Sequence, residues 1–205
     1  YIALIDSDDY WEDDKLEISY KYLSPNNSDG FCHAENWLFS DGRNMIKKYG
    51  PEKRFLFKNL LTQGNCLSPS ATVIKRKILT EVEGYSEDKN FVTAEDYDLW
   101  LKISKKNHKL IFSEKVLGSF RVHSEAESYD IIRNTNSVMN VIKSHFNETN
   151  LDISYLDEAL SNNLLTAGKT SQIRGKYNDA FTMYLHSAKV KFKPRVILLI
   201  LGLII

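Results

Sequence analysis

Three short segments of this 205-residue chain contain the residue types that metal-assisted and acid–base chemistry require. Asp6 and Asp8 follow an apolar run, where carboxylates suit Mg²⁺ or Mn²⁺, hard cations that take oxygen ligands and bridge to phosphates. Asp96, beside Glu95, precedes an aromatic helix-like stretch, where a carboxylate can accept a proton as a general base. His123 ends the sequence Phe-Arg-Val-His, and its imidazole can contact a metal ion or a diphosphate.

Each segment also has an interpretation without this chemistry. An Asp-x-Asp sequence occurs in dehalogenase-type phosphatases and in nucleotidyltransferases, and aspartate commonly caps helices. The phosphatases favour Thr or Val two residues after the second aspartate, where this chain has Tyr10 or Trp11. Thr93 and Asp96 match an approximate capping box, and a histidine after a strand is commonly held by a local hydrogen bond. The residues alone leave open a metal-assisted enzyme with an aspartate base, a Mg²⁺-dependent phosphatase or nucleotidyltransferase, and a non-catalytic interaction module.

Strands and helices alternate irregularly along residues 1–122, which predicts an α/β fold. The apolar run 1–5 predicts a strand buried on both faces. Residues 13–23 predict a helix with Leu16, Tyr20 and Leu23 on its core face. Further strands are predicted at 31–39, 44–49, 71–74, 110–112 and 116–122, and further helices at 54–61, 77–82 and 96–105.

From about residue 129 the pattern is wholly helical, so we expect an α/β domain at 1–128, to which the resemblance described below assigns the catalytic, acceptor-side role, and a helical C-terminal extension at 129–205. Residues 196–205 are nearly all aliphatic, whereas a membrane-spanning helix needs roughly 20 such residues. Contact with a membrane surface beside the preceding basic residues, burial in the extension, and membership in a cut transmembrane helix all stay open. Because the chain begins without Met in a strand-like run, we expect upstream residues to be missing.

The charge balance and the cysteine content limit the classes of protein to which this chain can belong. The chain has 27 basic and 27 acidic residues, and this balance argues against a general nucleic-acid binder, which needs an excess of positive charge. Cys32 and Cys66 lie far apart without a metal-type spacing. They suit free thiols of a cytosolic protein, with one disulfide left open.

Taken together and in order, the motif segments resemble the family 2 glycosyltransferases of bacterial polysaccharide and lipopolysaccharide assembly. The segments that carry the resemblance are 1–11, 95–101 and 120–123, with 70–76 and 83–87 similar to the family's strand, helix and glycine-aromatic loop. The resemblance covers about residues 1–128. It implies a GT-A fold, the Rossmann-like mixed sheet of nucleotide-diphospho-sugar transferases, without the N-terminal units that recognise the base.

The resemblance also implies roles for single residues. Asp8 would bind the metal ion, with Asp6 nearer the ribose or donor sugar, and His123 would contact the metal or the diphosphate. Asp96 would be the catalytic base and Glu95 its partner in positioning the acceptor. The implied reaction is inverting, metal-dependent transfer from a nucleotide-sugar donor to a saccharide or lipid-linked saccharide acceptor in cell-envelope polysaccharide synthesis. The expected location is the cytoplasm or the inner face of the cell membrane.

Overall fold

A computed structural model of the chain describes residues 1–26, 28–123 and 129–203. Contacts between residues divide these into two compact units. The first unit comprises Tyr1–Leu60, Asn65–Ser86 and Asp96–Ala126, and the second comprises Leu61–Gly64, Glu87–Glu95 and Glu127–Ile205. The domain boundary expected between residues 128 and 129 stays a prediction.

The first unit is built on a mixed sheet. The described strands are β1 (Ile2–Ala3), β2 (Tyr10–Trp11), β3 (Gly30–Phe39), β4 (Asn44–Lys47), β5 (Thr72–Ile74) and β6 (Leu110–Val122). They lie in the order β1-β5-β3-β6-β2, with β4 also paired to β3. The pairing of β3 with β6 is parallel and the others are antiparallel. The predicted α/β class with a mixed sheet is therefore confirmed.

Strand β3 lies in the middle of the sheet, and its first half is buried on both faces. Phe31 packs there with Ile18, Leu23, Val73 and Leu117 in one hydrophobic cluster. The region predicted as two strands, 110–112 and 116–122, is one long strand, β6. Shifts in its register against β3 allow the strand to continue through the polar residues between the two apolar parts.

The helices of this part of the chain occur close to where the sequence predicts them. They are α1 (Lys15–Asn26), α2 (Phe57–Gln63), α3 (Arg76–Glu81) and α4 (Glu95–Lys105), with short 3₁₀ turns at Glu52–Phe55 and Lys89–Phe91. Tyr97, Trp100 and Leu101 on α4 are buried, as their helical spacing predicts.

Two predictions about burial are wrong. Residues 1–5 form only a short strand, β1, which among the described residues pairs with β5 alone; Tyr1 and Ile5 are exposed. On helix α1, Leu23 is buried as predicted, whereas the side chains of Leu16 and Tyr20 are 55% and 59% exposed. The buried face of the helix instead includes Lys15, which is 0% exposed.

The second unit contains the helices α5 (Ile131–Asn147), α6 (Ile153–Ile173), α7 (Tyr177–Val190) and α8 (Arg195–Leu201), in agreement with the predicted helical pattern. Asp130 and Asp152 cap α5 and α6 by accepting hydrogen bonds from first-turn backbone N–H groups. In α8, Val196 is buried, whereas Ile197, Leu198 and Leu201 are exposed. None of the helices in the described ranges is long and apolar enough to span a membrane. Contact of this segment with a membrane surface stays a prediction.

Candidate active site

The acidic segment forms a tight turn between β1 and β2. The backbone N–H of Asp9 donates to the Asp6 carbonyl oxygen at 3.1 Å, which closes the turn. Strand β2 then pairs with β6, where Trp11 lies opposite Gly118. A Cβ atom on Gly118 would stand 2.7 Å from the Tyr10 carbonyl oxygen, so this close approach of strands requires glycine.

Adjacent carboxylates of this turn have different environments. Asp9 is 7% exposed, and its Oδ1 accepts a hydrogen bond from the backbone N–H of Arg121 at 3.0 Å. Burial raises the pKa of Asp9, because the charged form loses its hydration. The Asp8 side chain is 36% exposed, and Asp6 is exposed as well. Asp9 therefore anchors the turn, while Asp8 and Asp6 are the acids a ligand can reach.

The structure brings Asp8 and His123 together. His123 Nε2 lies 2.7 Å from Asp8 Oδ2, although 115 positions separate the two residues in the sequence. Because a carboxylate only accepts hydrogen bonds, Nε2 carries the proton in this contact. The hydrogen bond from His123 lowers the pKa of Asp8, so Asp8 is held as a carboxylate. The sequence placed these residues in separate motifs, and β2 and β6 join them.

A half-open cleft of about 280 Å³ reaches His123. The guanidinium of Arg121 lies over the Tyr10 ring, 5.9 Å from its centroid, and Nη1 donates to the Tyr10 hydroxyl at 3.4 Å. The cleft thus combines aromatic surface with a cation, a combination that suits a ligand with a ring and a negative charge. Its walls are formed by Tyr10, Leu38, Phe39, Ser40, Arg121, Val122 and His123.

Within residues 1–26, 28–123 and 129–203, no group of three or more His, Cys, Asp or Glu side chains converges as a metal cage. Asp8 nevertheless offers carboxylate oxygens, whereas Nε2 of His123 can bind a metal ion only after it loses the proton that it donates to Asp8. Mg²⁺ that serves a phosphate-bearing substrate is commonly held by one or two carboxylates together with the substrate's phosphates. Asp8 fits that mode of binding, and the described residues do not form a site that would hold a metal ion without the substrate's phosphates.

Asp96 lies in the first turn of α4 with both carboxylate oxygens engaged. Oδ1 accepts from the backbone N–H of Tyr97 at 2.7 Å, and Oδ2 accepts from the Asn65 side-chain amide at 2.9 Å. The capping box weighed from the sequence would place Thr93 directly before the helix. The helix instead begins at Glu95 after Ala94, and the Thr93 hydroxyl accepts from Asn134. The structure therefore gives Asp96 an oriented, partly exposed carboxylate.

The predicted site residues are not all brought together. Asp96 belongs to the first unit with Asp8, but it is absent from the residues that line the cleft. Glu95 is half-buried and belongs by its contacts to the second unit. The pairing of Glu95 with Asp96 as base and partner stays a prediction.

Sequence reasoning missed residues that support these groups. Asn65 bonds Asp96, and Ser70 bonds the backbone N–H of Asp6 at 3.0 Å. Neither residue has a type or spacing that singles it out. The burial of Lys15 was not predicted either, since lysine is rarely buried unless paired. Cys32 and Cys66 are free and buried, which agrees with the expectation of reduced thiols.

Comparison with known proteins points to sugar transfer. Over 129 residues the chain is 27% identical to an uncharacterized glycosyltransferase of Methanocaldococcus jannaschii; the match covers 60% of this chain and 42% of that protein. Over 108 residues it is 31% identical to the UDP-Glc:alpha-D-GlcNAc-diphosphoundecaprenol beta-1,3-glucosyltransferase WfgD of Escherichia coli, a match that covers 53% of this chain and 40% of that protein. No family model matches the chain.

These matches confirm the resemblance to glycosyltransferases at a general level. The chain spans about two fifths of the length of each of these curated relatives. Both matches favour a sugar transferase over the phosphatase, nucleotidyltransferase and interaction-module alternatives.

Proposed function

We propose that the protein is an inverting, family 2 glycosyltransferase that moves a sugar from a nucleotide-sugar donor to an acceptor hydroxyl. The observation that carries the proposal is the contact of Asp8 with His123 at 2.7 Å in a chain similar to glycosyltransferases. An ionised carboxylate and an imidazole beside a cleft with a guanidinium supply the charges that a diphosphate and its cation need.

In this proposal the donor diphosphate binds at the mouth of the cleft. Arg121 offers hydrogen-bond donors to phosphate oxygens, and Tyr10 and Phe39 provide aromatic surface in the same cleft. Asp8 and His123 would hold Mg²⁺ or Mn²⁺, with Asp6 nearer the ribose or donor sugar. The cation would supply neutralisation of the negative charge that grows on the departing nucleoside diphosphate.

Asp96 is the proposed general base. It would accept the proton of the acceptor hydroxyl as that oxygen attacks the anomeric carbon and the bond to the diphosphate breaks. A single displacement of this kind inverts the anomeric configuration and needs no carboxylate nucleophile, unlike a retaining glycosidase. Asn65 supports the role because its amide fixes one carboxylate oxygen at 2.9 Å. Glu95 would help to position the acceptor.

The proposed acceptor is a saccharide or lipid-linked saccharide of cell-envelope polysaccharide synthesis. The name of the E. coli relative includes a diphosphoundecaprenol-linked GlcNAc as acceptor and UDP-Glc as donor. These substrates guide the first choice of probes for this protein.

The proposal is tested by release of nucleoside diphosphate. The full-length protein is incubated with Mn²⁺ and a panel of sugar nucleotides that begins with UDP-glucose, with and without a diphosphate-linked GlcNAc acceptor. Acceptor-dependent release from one donor, abolished by EDTA and restored by Mn²⁺, is the expected result. Release of phosphate from simple phosphate esters, without sugar transfer from any donor, would establish the phosphatase alternative instead.

A further inference from the structure

Helix α1 places a lysine inside the first unit, directly beneath the acidic turn. Lys15 is 0% exposed, and its ammonium nitrogen lies 2.6 Å from the Ser70 carbonyl oxygen and 3.7 Å from the centroid of the Trp11 ring. Burial lowers the pKa of Lys15 to about 7. Burial of an ammonium group costs free energy unless its partners compensate the lost hydration. Lys15 therefore needs the contacts that Ser70 and Trp11 supply in order to stay buried.

Ser70 joins this lysine to the acidic turn. Its carbonyl oxygen accepts from Lys15 and also from the Trp11 indole N–H, at 2.9 Å. Its hydroxyl oxygen accepts from the backbone N–H of Asp6 at 3.0 Å. Because the N–H of Asp9 bonds the Asp6 carbonyl oxygen, the position of Asp6 sets the position of the whole turn.

A buried carboxylate, Glu35, lies near Lys15 and contacts the same segment at Ser68, two residues before Ser70. Glu35 is 0% exposed, and its oxygens accept from the Tyr49 hydroxyl at 2.6 Å and from the Ser68 hydroxyl at 3.2 Å. Burial raises the pKa of Glu35 to about 6, and the nearby positive charge of Lys15 opposes that rise. Two buried groups of opposite charge therefore contact this segment: Glu35 accepts a hydrogen bond from Ser68, and Lys15 donates one to Ser70.

We infer that Lys15 is a positioning residue: it clamps the Ser70 carbonyl, and Ser70 in turn fixes the turn of Asp6–Asp9 so that Asp8 meets His123. Lys15 acts through Ser70 and touches no substrate. The effect on catalysis rests on the proposed function, whereas the effect on the turn does not.

The test replaces Lys15 by a side chain of similar length without charge. Lys15→Met in the full-length protein is compared with the wild type by amide hydrogen exchange and by steady-state kinetics with UDP-glucose. Lys21→Met is the matched control, since Lys21 is on the same helix with its side chain 66% exposed. Exchange at the Asp6 amide should rise about tenfold or more, as expected for a local opening, with β3 and β6 still protected. With transfer active, kcat/KM should fall by about 10- to 100-fold, the usual effect of losing an outer partner of a ligand.

A second variant, Ser70→Ala, tests the link between Ser70 and the turn without unburying Lys15. It keeps the carbonyl that Lys15 contacts and removes the hydroxyl that accepts from the N–H of Asp6. The inference predicts the same faster exchange at Asp6. Unchanged protection of Asp6 in Lys15→Met, or a loss of protection spread evenly over β3 and β6, would overturn the inference and leave the proposed function standing. Faster exchange at Asp6 in a protein whose wild type transfers no sugar would support the clamp and refute the proposed function.

Discussion

His123 Nε2 and Asp8 Oδ2 lie 2.7 Å apart, although 115 positions of sequence separate the two residues. The contact exists because β2 pairs with the far end of β6, which brings the residue after β6 beside the turn before β2. The pair is partly exposed, with side chains 26% and 36% accessible, so a ligand can replace the hydrogen bond with its own contacts.

Loss of either member of this pair should weaken catalysis more than folding. We expect Asp8→Asn to lower kcat/KM by about 10²- to 10³-fold, since it removes charge from the proposed binding site of the diphosphate and its cation. His123→Gln should cost about 10- to 100-fold. The measurement is nucleoside diphosphate release with Mn²⁺. Asp179→Asn at a half-buried position and His186→Gln at an exposed position of α7 are the matched controls and should retain wild-type rates.

The amide of Asn65 should matter for the chemical step and not for donor binding. Asn65→Ala removes one hydrogen bond that orients Asp96, so kcat should fall about tenfold, less than the loss of the proton acceptor itself would cost, with KM for the donor nearly unchanged. Asn147→Ala, at the exposed end of α5, is the control. A rise in KM with kcat intact would assign Asn65 to binding and contradict this role.

Acid should weaken the second unit through Glu158. Its burial opposes ionisation, but hydrogen bonds from Lys193 and Lys191 outweigh that effect and lower the pKa of Glu158 to about 2. The stabilisation is complete above the unfolded pKa of about 4.3 and is lost as the pH falls through the folded value. Because the side chain is 31% exposed, we expect roughly 1 kcal/mol or less.

Urea unfolding between about pH 6 and pH 2 checks this linkage. The free energy of unfolding of Glu158→Gln should depend less on pH over that range than that of the wild type. Asp157→Asn on the same helix serves as the control. Identical pH profiles for wild type and Glu158→Gln would show that the lysine pair contributes nothing.

Helices α6 and α7 approach closely at Gly168. A Cβ atom there would lie 2.5 Å from Cε1 of Tyr184, whose ring is fully buried. Alanine is normally favoured over glycine in a helix by about 1 kcal/mol, but the overlap should dominate and make Gly168→Ala destabilising by about 1–3 kcal/mol. Thermal unfolding measures the change, with Lys169→Ala as the exposed control. Tyr184→Leu combined with Gly168→Ala should recover part of the loss if the ring is the cause.

Local patterns predicted much of the fold. The hairpin of β3 and β4, the buried strand β5 and the aromatic face of α4 all follow from apolar spacing and turn residues, because each signal lies within a few residues. The wrong predictions arose where contacts between residues distant in the sequence determine which side chains are buried. The apolar spacing in α1 predicted that Leu16 and Tyr20 face inward. Lys15 is buried instead, and one of the groups that stabilise it is the carbonyl of Ser70, 55 positions away.

The candidate site was predicted in its residue types and not in its arrangement. The acidic turn and His123 were identified separately, and only the pairing of β2 with β6 places Asp8 against His123. Asn65 could not be foreseen, since an asparagine after a glycine is typical of any turn.

The most direct test of sugar transfer measures turnover and donor binding in one variant, Asp96→Asn, which keeps the shape of the side chain and removes its basicity. Turnover with the donor that the panel identifies should fall by about 10²- to 10⁴-fold, while the Kd for the corresponding nucleoside diphosphate with Mn²⁺, measured by calorimetry, should stay within about twofold of the wild type. Turnover at the wild-type rate would contradict the account, because the acceptor's proton would then go to another group.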